Sequence, residues 1–171
     1  MIRTYNNIHV PIDSPLLNNC DPVKDFNSKE IKEIILEMNN IMNKDDNVYG
    51  IAANQLGYDF RMLMMKHPSS TDNLLMINPR IEWTSNDSVY GEEGCLSFPG
   101  LYIKIKRPDM VTVGYQDSKA GYLRLTLEGI HARIVQHEID HLDGKPFFKK
   151  ATSYHLEKAL KEWKKYQKQL K

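Results

Sequence analysis

Ile31, Ile34, Ile35, Met38, Ile41 and Met42 recur at helical spacing. That spacing lays apolar side chains along one face and predicts an amphipathic helix. Asn27 is a suitable N-cap with Glu30 three residues on, so the helix is expected to start there. Asn43 to Asn47 closes it. Residues 1–26 read as irregular, punctuated by Pro11, Pro15 and Pro22. The stretch Gly50-Ile51-Ala52-Ala53-Asn54-Gln55-Leu56-Gly57 is small and glycine-flanked. Phe60 to Met65, Leu74 to Ile77 and Ile81 to Trp83 read as strands. Leu101, Ile103 and Ile105 alternate with Tyr102, Lys104 and Lys106, the two-residue period of a half-buried strand. Met110 to Tyr115 and Tyr122 to Leu127 predict a hairpin around Asp117–Gly121. A second helix is expected from Leu127 or Gly129 to Leu142, stopped near Gly144 and Pro146. A last helix, from Ser153 onward, carries Leu156, Leu160, Trp163 and Leu170 on one side. Lys158, Lys161, Lys164, Lys165, Lys168 and Lys171 make the rest basic. The sum is an α+β fold: largely antiparallel sheets wrapped around a central helix, with an N-terminal and a C-terminal helix.

The 171 residues suit one domain, 1–171, and no repeat or linker divides them. Composition is that of an ordinary globular protein, with 41% hydrophobic and 26% charged residues. A net charge of +1 gives no whole-chain electrostatic case for a nucleic-acid substrate or a membrane surface. With no apolar run of spanning length and no signal-peptide pattern, the expected compartment is the cytoplasm. In a reducing compartment the two cysteines, Cys20 and Cys95, are expected to be free, catalytic or metal-bound.

The chemistry concentrates in His137-Glu138-Ile139-Asp140-His141, an H-E-x-x-H pentapeptide on the second predicted helix. Histidines four apart share a helical face, so both imidazoles can reach one metal ion. Glu138 can then approach a water on that ion without binding the metal itself. The bland alternative is a solvated helix with two histidines. Ile134, Val135, Ile139 and Leu142 argue instead for a helix buried over much of its surface, where histidines need partners. A catalytic site of this kind needs a third protein ligand and an open position. The extended pattern with a third histidine fails, because Phe147 stands where that histidine belongs. The residues leave three candidates: Glu157 or His155 downstream, and Cys95 upstream among glycines that allow close backbone approach. Cys95 can equally be a small buried hydrophobe. A non-catalytic, structural zinc site would need a fourth protein ligand, and none stands out.

Gly50 to Gln55, Glu93-Gly94-Cys95-Leu96-Ser97 and Gln136 to His141, in that order, resemble the three signature motifs of peptide deformylases. The likeness extends over the N-terminal helix, Gly129-Ile130-His131-Ala132-Arg133 and Leu142-Asp143-Gly144. The resemblance implies an enzyme that hydrolyses the formyl group from the N-terminal formyl-methionine of nascent polypeptides. It implies Cys95, His137 and His141 as metal ligands, a metal-bound water as nucleophile and Glu138 as general acid/base. It implies the Gln55 side-chain amide and the Leu96 backbone N–H as oxyanion donors. Gly50 would pair with extended substrate by strand addition. Tyr49, Ile134 and the Arg133 stem would line the methionine pocket. Ferrous iron is the metal the resemblance favours, with zinc, nickel or cobalt also suited to two imidazoles and a thiolate.

Two residues depart from the family pattern. Val48 stands where many members have a glycine. Tyr102 replaces an arginine that contacts substrate in some of them, so no arginine contact is carried over. The resemblance also offers the basic C-terminal helix as a ribosome-docking element. The simpler reading packs its apolar stripe on the sheet and leaves its lysines in water. His9, His67, His131 and His155 are assigned no role in catalysis, and Cys20 is expected to be a plain thiol in an irregular stretch.

Overall fold

The protein is described over residues 1–170 by a computed structural model. Lys171, counted above with the basic helix, lies outside the described residues. Helix α1 spans Lys29–Lys44. Strands β1 (Gly50–Ala52), β2 (Met62–Lys66) and β3 (Asn73–Thr84) follow. Strands β4 (Ser88–Cys95) and β5 (Phe98–Pro108) come next. Strands β6 (Met110–Gln116) and β7 (Tyr122–Glu128) lead into helix α2 (Gly129–Leu142). Helix α3 (Ser153–Gln169) is the last element among the described residues. All strand pairings are antiparallel: a five-stranded sheet ordered β1-β2-β3-β6-β7 and a separate β4–β5 ribbon.

Strand β2 explains the layering. Met62 and Met64 face α1, packing with Ile31, Ile34, Met38 and Met42. Leu63 and Met65 face the other way, onto Val135, Ile139 and Leu142 of α2. Both faces of β2 are buried, which is why its sequence is a continuous apolar run and not an alternation. The ribbon covers α2 from its far side. Leu101, Ile103 and Ile105 of β5 join Phe98, Phe147 and Trp163 in a third apolar cluster, which seats α3. Helix α2 is thus enclosed, and every residue from Ala132 to Leu142 is buried.

Three expectations are corrected. Helix α1 is capped by Ser28, whose hydroxyl accepts from Ile31 N–H at 3.2 Å. Asn27 instead donates its N–H to Asp25 Oδ1 two residues earlier, so Ser28, standing three residues before Ile31, is the one in capping position. Leu74–Ile77 and Ile81–Trp83 are one strand. The break suggested by Asn78 and Pro79 is absorbed as a bulge, with Asn78 at φ 51° and its side chain bonding both N–H and carbonyl of Val23. Leu170 lies beyond the last helical residue and is 70% exposed, so it is not on the packed side of α3. Strand β4 carries two glycines and two glutamates, too few apolar residues to announce itself. Among the described residues no helix is long and apolar enough to cross a membrane.

Candidate metal centre

The site forms where the two sheets meet α2. The β4–β5 ribbon turns through Leu96 and Ser97, with Cys95 and Phe98 paired across the turn. That turn holds Cys95 against α2, where His137 and His141 occupy one face. One ligand atom from each of Cys95, His137 and His141 lies within 4.8 Å of the others. Cys95 Sγ is 3.2 Å from His141 Nε2. Atoms this close can share one ion at bond lengths of about 2.0–2.3 Å. Glu157 and His155 are not brought in. Glu157 is exposed on α3, and the His155 ring packs edge-on to Tyr90 and Tyr154.

The ligand orientations are set by outer partners. His137 Nδ1 lies 3.0 Å from Glu93 Oε2, which turns its Nε2 toward the cysteine. Glu93 also accepts from Arg107 Nε at 2.6 Å and Nη2 at 2.9 Å, and from Arg133 Nη1 at 2.8 Å. Arg107 Nη1 donates to Asp140 Oδ2 at 2.7 Å, and Lys150 reaches Asp140 Oδ1 at 3.2 Å. Burial alone would raise the Glu93 carboxyl. The Arg107 and His137 contacts overcome it and hold the pKa at about 2. Burial likewise works against a charged His137, but its bonds to Cys95 and Glu93 carry it up to about 10. A carboxylate behind a ligating imidazole fixes the ring and raises its basicity. Arg107 and Asp140 are not expected from the sequence as partners of the site, Glu93 stands there only as a motif residue, and Arg133 is expected only to lend its stem to the methionine pocket. The available signal was Glu93 itself, two residues before Cys95 on a strand and so on the same face of it.

Glu138 sits one residue past the first histidine, buried, with Oε2 lacking any hydrogen-bond partner among the described residues. Desolvation by burial raises its carboxyl to about 7, against the opposing charge of His137. Its Oε1 approaches the backbone of β1: a Cβ on Gly50 would come within 2.7 Å of it. Glycine at position 50 is therefore needed for α2 to lie this close to β1. Gln55 is buried with its Oε1 accepting from Ala52 N–H at 2.9 Å. That contact orients the amide so that Nε2 faces Ser97 Oγ at 3.2 Å and Cys95 Sγ at 3.5 Å. Asn54, also unassigned from sequence, ties the helix end down by donating to the His141 carbonyl at 2.5 Å.

A cavity of about 650 Å³ opens over these groups. Tyr49, Gly50, Leu96, Ile134 and the Arg133 stem line it, and Tyr102 stands at its mouth, 59% exposed. The Arg133 guanidinium is turned away, donating to Glu93 and to the carbonyls of Ile105 and Val89. Strand β1 is the edge of its sheet, and its unpaired side borders the cavity. Val48 is a core residue here, buried against the α1 cluster. Cys20, expected as a plain thiol, is free but buried in the α2 core, and burial with Asp59 nearby pushes it up to about 12.

Residues 6–157 match the family model described as Polypeptide deformylase. The chain is 38% identical over 141 residues to peptide deformylase 1 of Bacillus anthracis, covering 82% of this chain and 88% of the relative. It is 36% identical over 151 residues to the peptide deformylase of Aquifex aeolicus, covering 86% of each. Among solved structures, a peptide deformylase from Legionella pneumophila superimposes with a TM-score of 0.83 at 28% identity, covering 99% of this chain and 96% of that one. A plant peptide deformylase superimposes at 0.82 and 29% identity, covering 99% and 89%.

Proposed function

Since the chain belongs to the polypeptide deformylase family and removes the N-formyl group from nascent polypeptides, we propose that it does so at the Cys95–His137–His141 centre with Glu138 as the proton carrier. The observation that carries this reading is the convergence of one thiol and two imidazoles beside a buried carboxylate oxygen that has no partner among the described residues. The donor set fits a divalent transition metal, and ferrous iron is the ion proposed, ahead of zinc, nickel or cobalt. When bound, that ion supplies Lewis-acid polarisation and lowers the pKa of a water toward neutrality.

The chain's own residues do the rest. The unpaired edge of β1 at Gly50 receives the peptide as an added strand, so recognition rests on backbone and not on sequence. Tyr49, Ile134 and the Arg133 stem take the methionine side chain. Glu138 takes a proton from water as oxygen adds to the formyl carbon, then delivers it to the departing amine as the C–N bond breaks and formate leaves. Gln55 Nε2 and the Leu96 N–H donate to the oxyanion that forms in between. We place the enzyme in the cytoplasm, as one domain over residues 1–171, where a reducing medium keeps Cys95 out of disulfides and free to bind the metal.

Formate release from a short formyl-methionyl peptide tests the reading. Protein loaded anaerobically with ferrous iron is expected to turn over, and zinc-loaded protein more slowly. Exposure to air should inactivate the iron form selectively, because oxidation there reaches the thiolate. A chelated, metal-free sample that retained full activity would refute the metal centre. Lys158, Lys161, Lys164, Lys165 and Lys168, all solvent-facing on α3, are proposed to dock the enzyme on the ribosome. Reversing their charge with glutamate is expected to abolish co-sedimentation with ribosomes, and unchanged co-sedimentation excludes docking by this helix.

A further inference from the structure

The two proposed oxyanion donors sit on separate sheets. Gln55 follows β1 of the five-stranded sheet, and Leu96 lies in the turn of the β4–β5 ribbon. A donor pair is effective only while both groups point at one atom, and a misplacement of about 1 Å can lower a rate ~10²-fold. Something must fix the distance between the sheets at this point.

One short segment touches both. Arg3 N–H donates to the Gln55 carbonyl at 2.8 Å, and Tyr5 N–H donates to the Ser97 carbonyl at 2.8 Å. A single short run of backbone thus pins the residue carrying one donor and the neighbour of the other. The Tyr5 ring stacks on Phe98 at 5.6 Å, and its hydroxyl bonds Ser14 Oγ at 2.6 Å, which anchors the segment at its far end. The Gln55–Ser97 side-chain bond crosses the same gap directly.

We infer that residues Arg3 to Tyr5 form a cross-strap whose backbone holds the Gln55 and Leu96 donors in register for the formyl oxyanion. They are positioning residues and touch no substrate. The inference rests on the oxyanion assignment proposed above. It places the strap's effect in the transition state, so it changes kcat and leaves substrate binding alone.

Arg3→Pro deletes one strap donor and is measured in full-length, metal-loaded protein by formate release. We expect kcat to fall about tenfold with KM within twofold and metal content unchanged. Arg3→Ala keeps the N–H and should recover most of that loss. The decisive reading is coupling with Gln55→Ala, which alone should cost ~10² in kcat. Acting through Gln55, Arg3→Pro should add less than about twofold on that background, a non-additivity that a general loss of structure would not produce. If Arg3→Pro fails to fold or to hold metal, Tyr5→Gly, which loosens the strap by removing the ring stack and the hydroxyl while keeping both backbone donors, is read in the same cycle with the same expectation. Unchanged kcat, or full additivity with Gln55→Ala, overturns the strap. A Gln55→Ala enzyme of wild-type kcat removes the oxyanion assignment and the strap with it, while metal-dependent formate release by the parent protein would leave the rest of the proposed mechanism standing.

Discussion

Cys95→Ala is expected to lose its metal to a chelator and to release no formate, while Glu157→Ala keeps both metal and activity. Two imidazoles on one helix supply only two bonds, and an open catalytic site needs a third from the protein. Among the described residues Cys95 is the one His, Cys, Asp or Glu whose ligand atom joins His137 and His141 in a single cluster. Losing an outer partner of a metal site typically costs 10–100-fold in affinity, and losing a ligand should cost more than that. The variant should still fold. Cys95 is only partly buried, in a hairpin held by its ladder and by Phe98 behind it. Metal content after dialysis, beside thermal melting of metal-free parent and variant, separates the two effects. A Cys95→Ala protein with one tightly held ion, paired with a Glu157→Ala protein that has none, would move the third ligand downstream.

The sequence alone could not choose between those ligands on spacing, and the reason is physical. H-E-x-x-H is a local pattern, legible because four residues make about one helical turn. Cys95 is brought to it by a ribbon whose strand β4 has no apolar alternation, so nothing in periodicity announces its approach. The three-motif resemblance supplied what periodicity did not. Helices α1 and α3 and the alternating strand β5 were legible from apolar spacing, since each has one buried face, whereas α2, buried all round from Ala132 to Leu142, was legible from its stop at Gly144 and Pro146. The layer order was not, because β2 is buried on both faces. The outer partners were also hidden. Arg107, Arg133, Glu93 and Asp140 come from β4, β5 and α2, and read singly each is an ordinary surface charge. Only the fold buries them together, where removing one member of such a cluster costs about 3–5 kcal/mol. Gly50 was legible as a motif residue, but its reason, that a Cβ there would stand 2.7 Å from Glu138 Oε1, needs the two elements side by side.

Glu138→Gln should lower kcat by about 10²–10⁴-fold, the usual contribution of a positioned acid/base group, with metal content and KM little changed. The amide has the same shape and cannot carry the proton between water and leaving amine. The position of the carboxyl argues for function over structure. It is buried, its Oε2 bonds to nothing among the described residues, and it faces the cavity beside the first histidine. A buried carboxylate without a partner destabilises the fold, so its replacement by a neutral group should leave the melting temperature equal or higher. That pairing, activity lost and stability kept or gained, is the signature of a group held for chemistry against its own solvation. A structural glutamate would show the reverse, a lower melting temperature with turnover falling only as folded protein is lost. If the metal-loaded glutamine variant turned over near the parent rate, another group would have to move the proton, and Glu138 would have no part in the reaction.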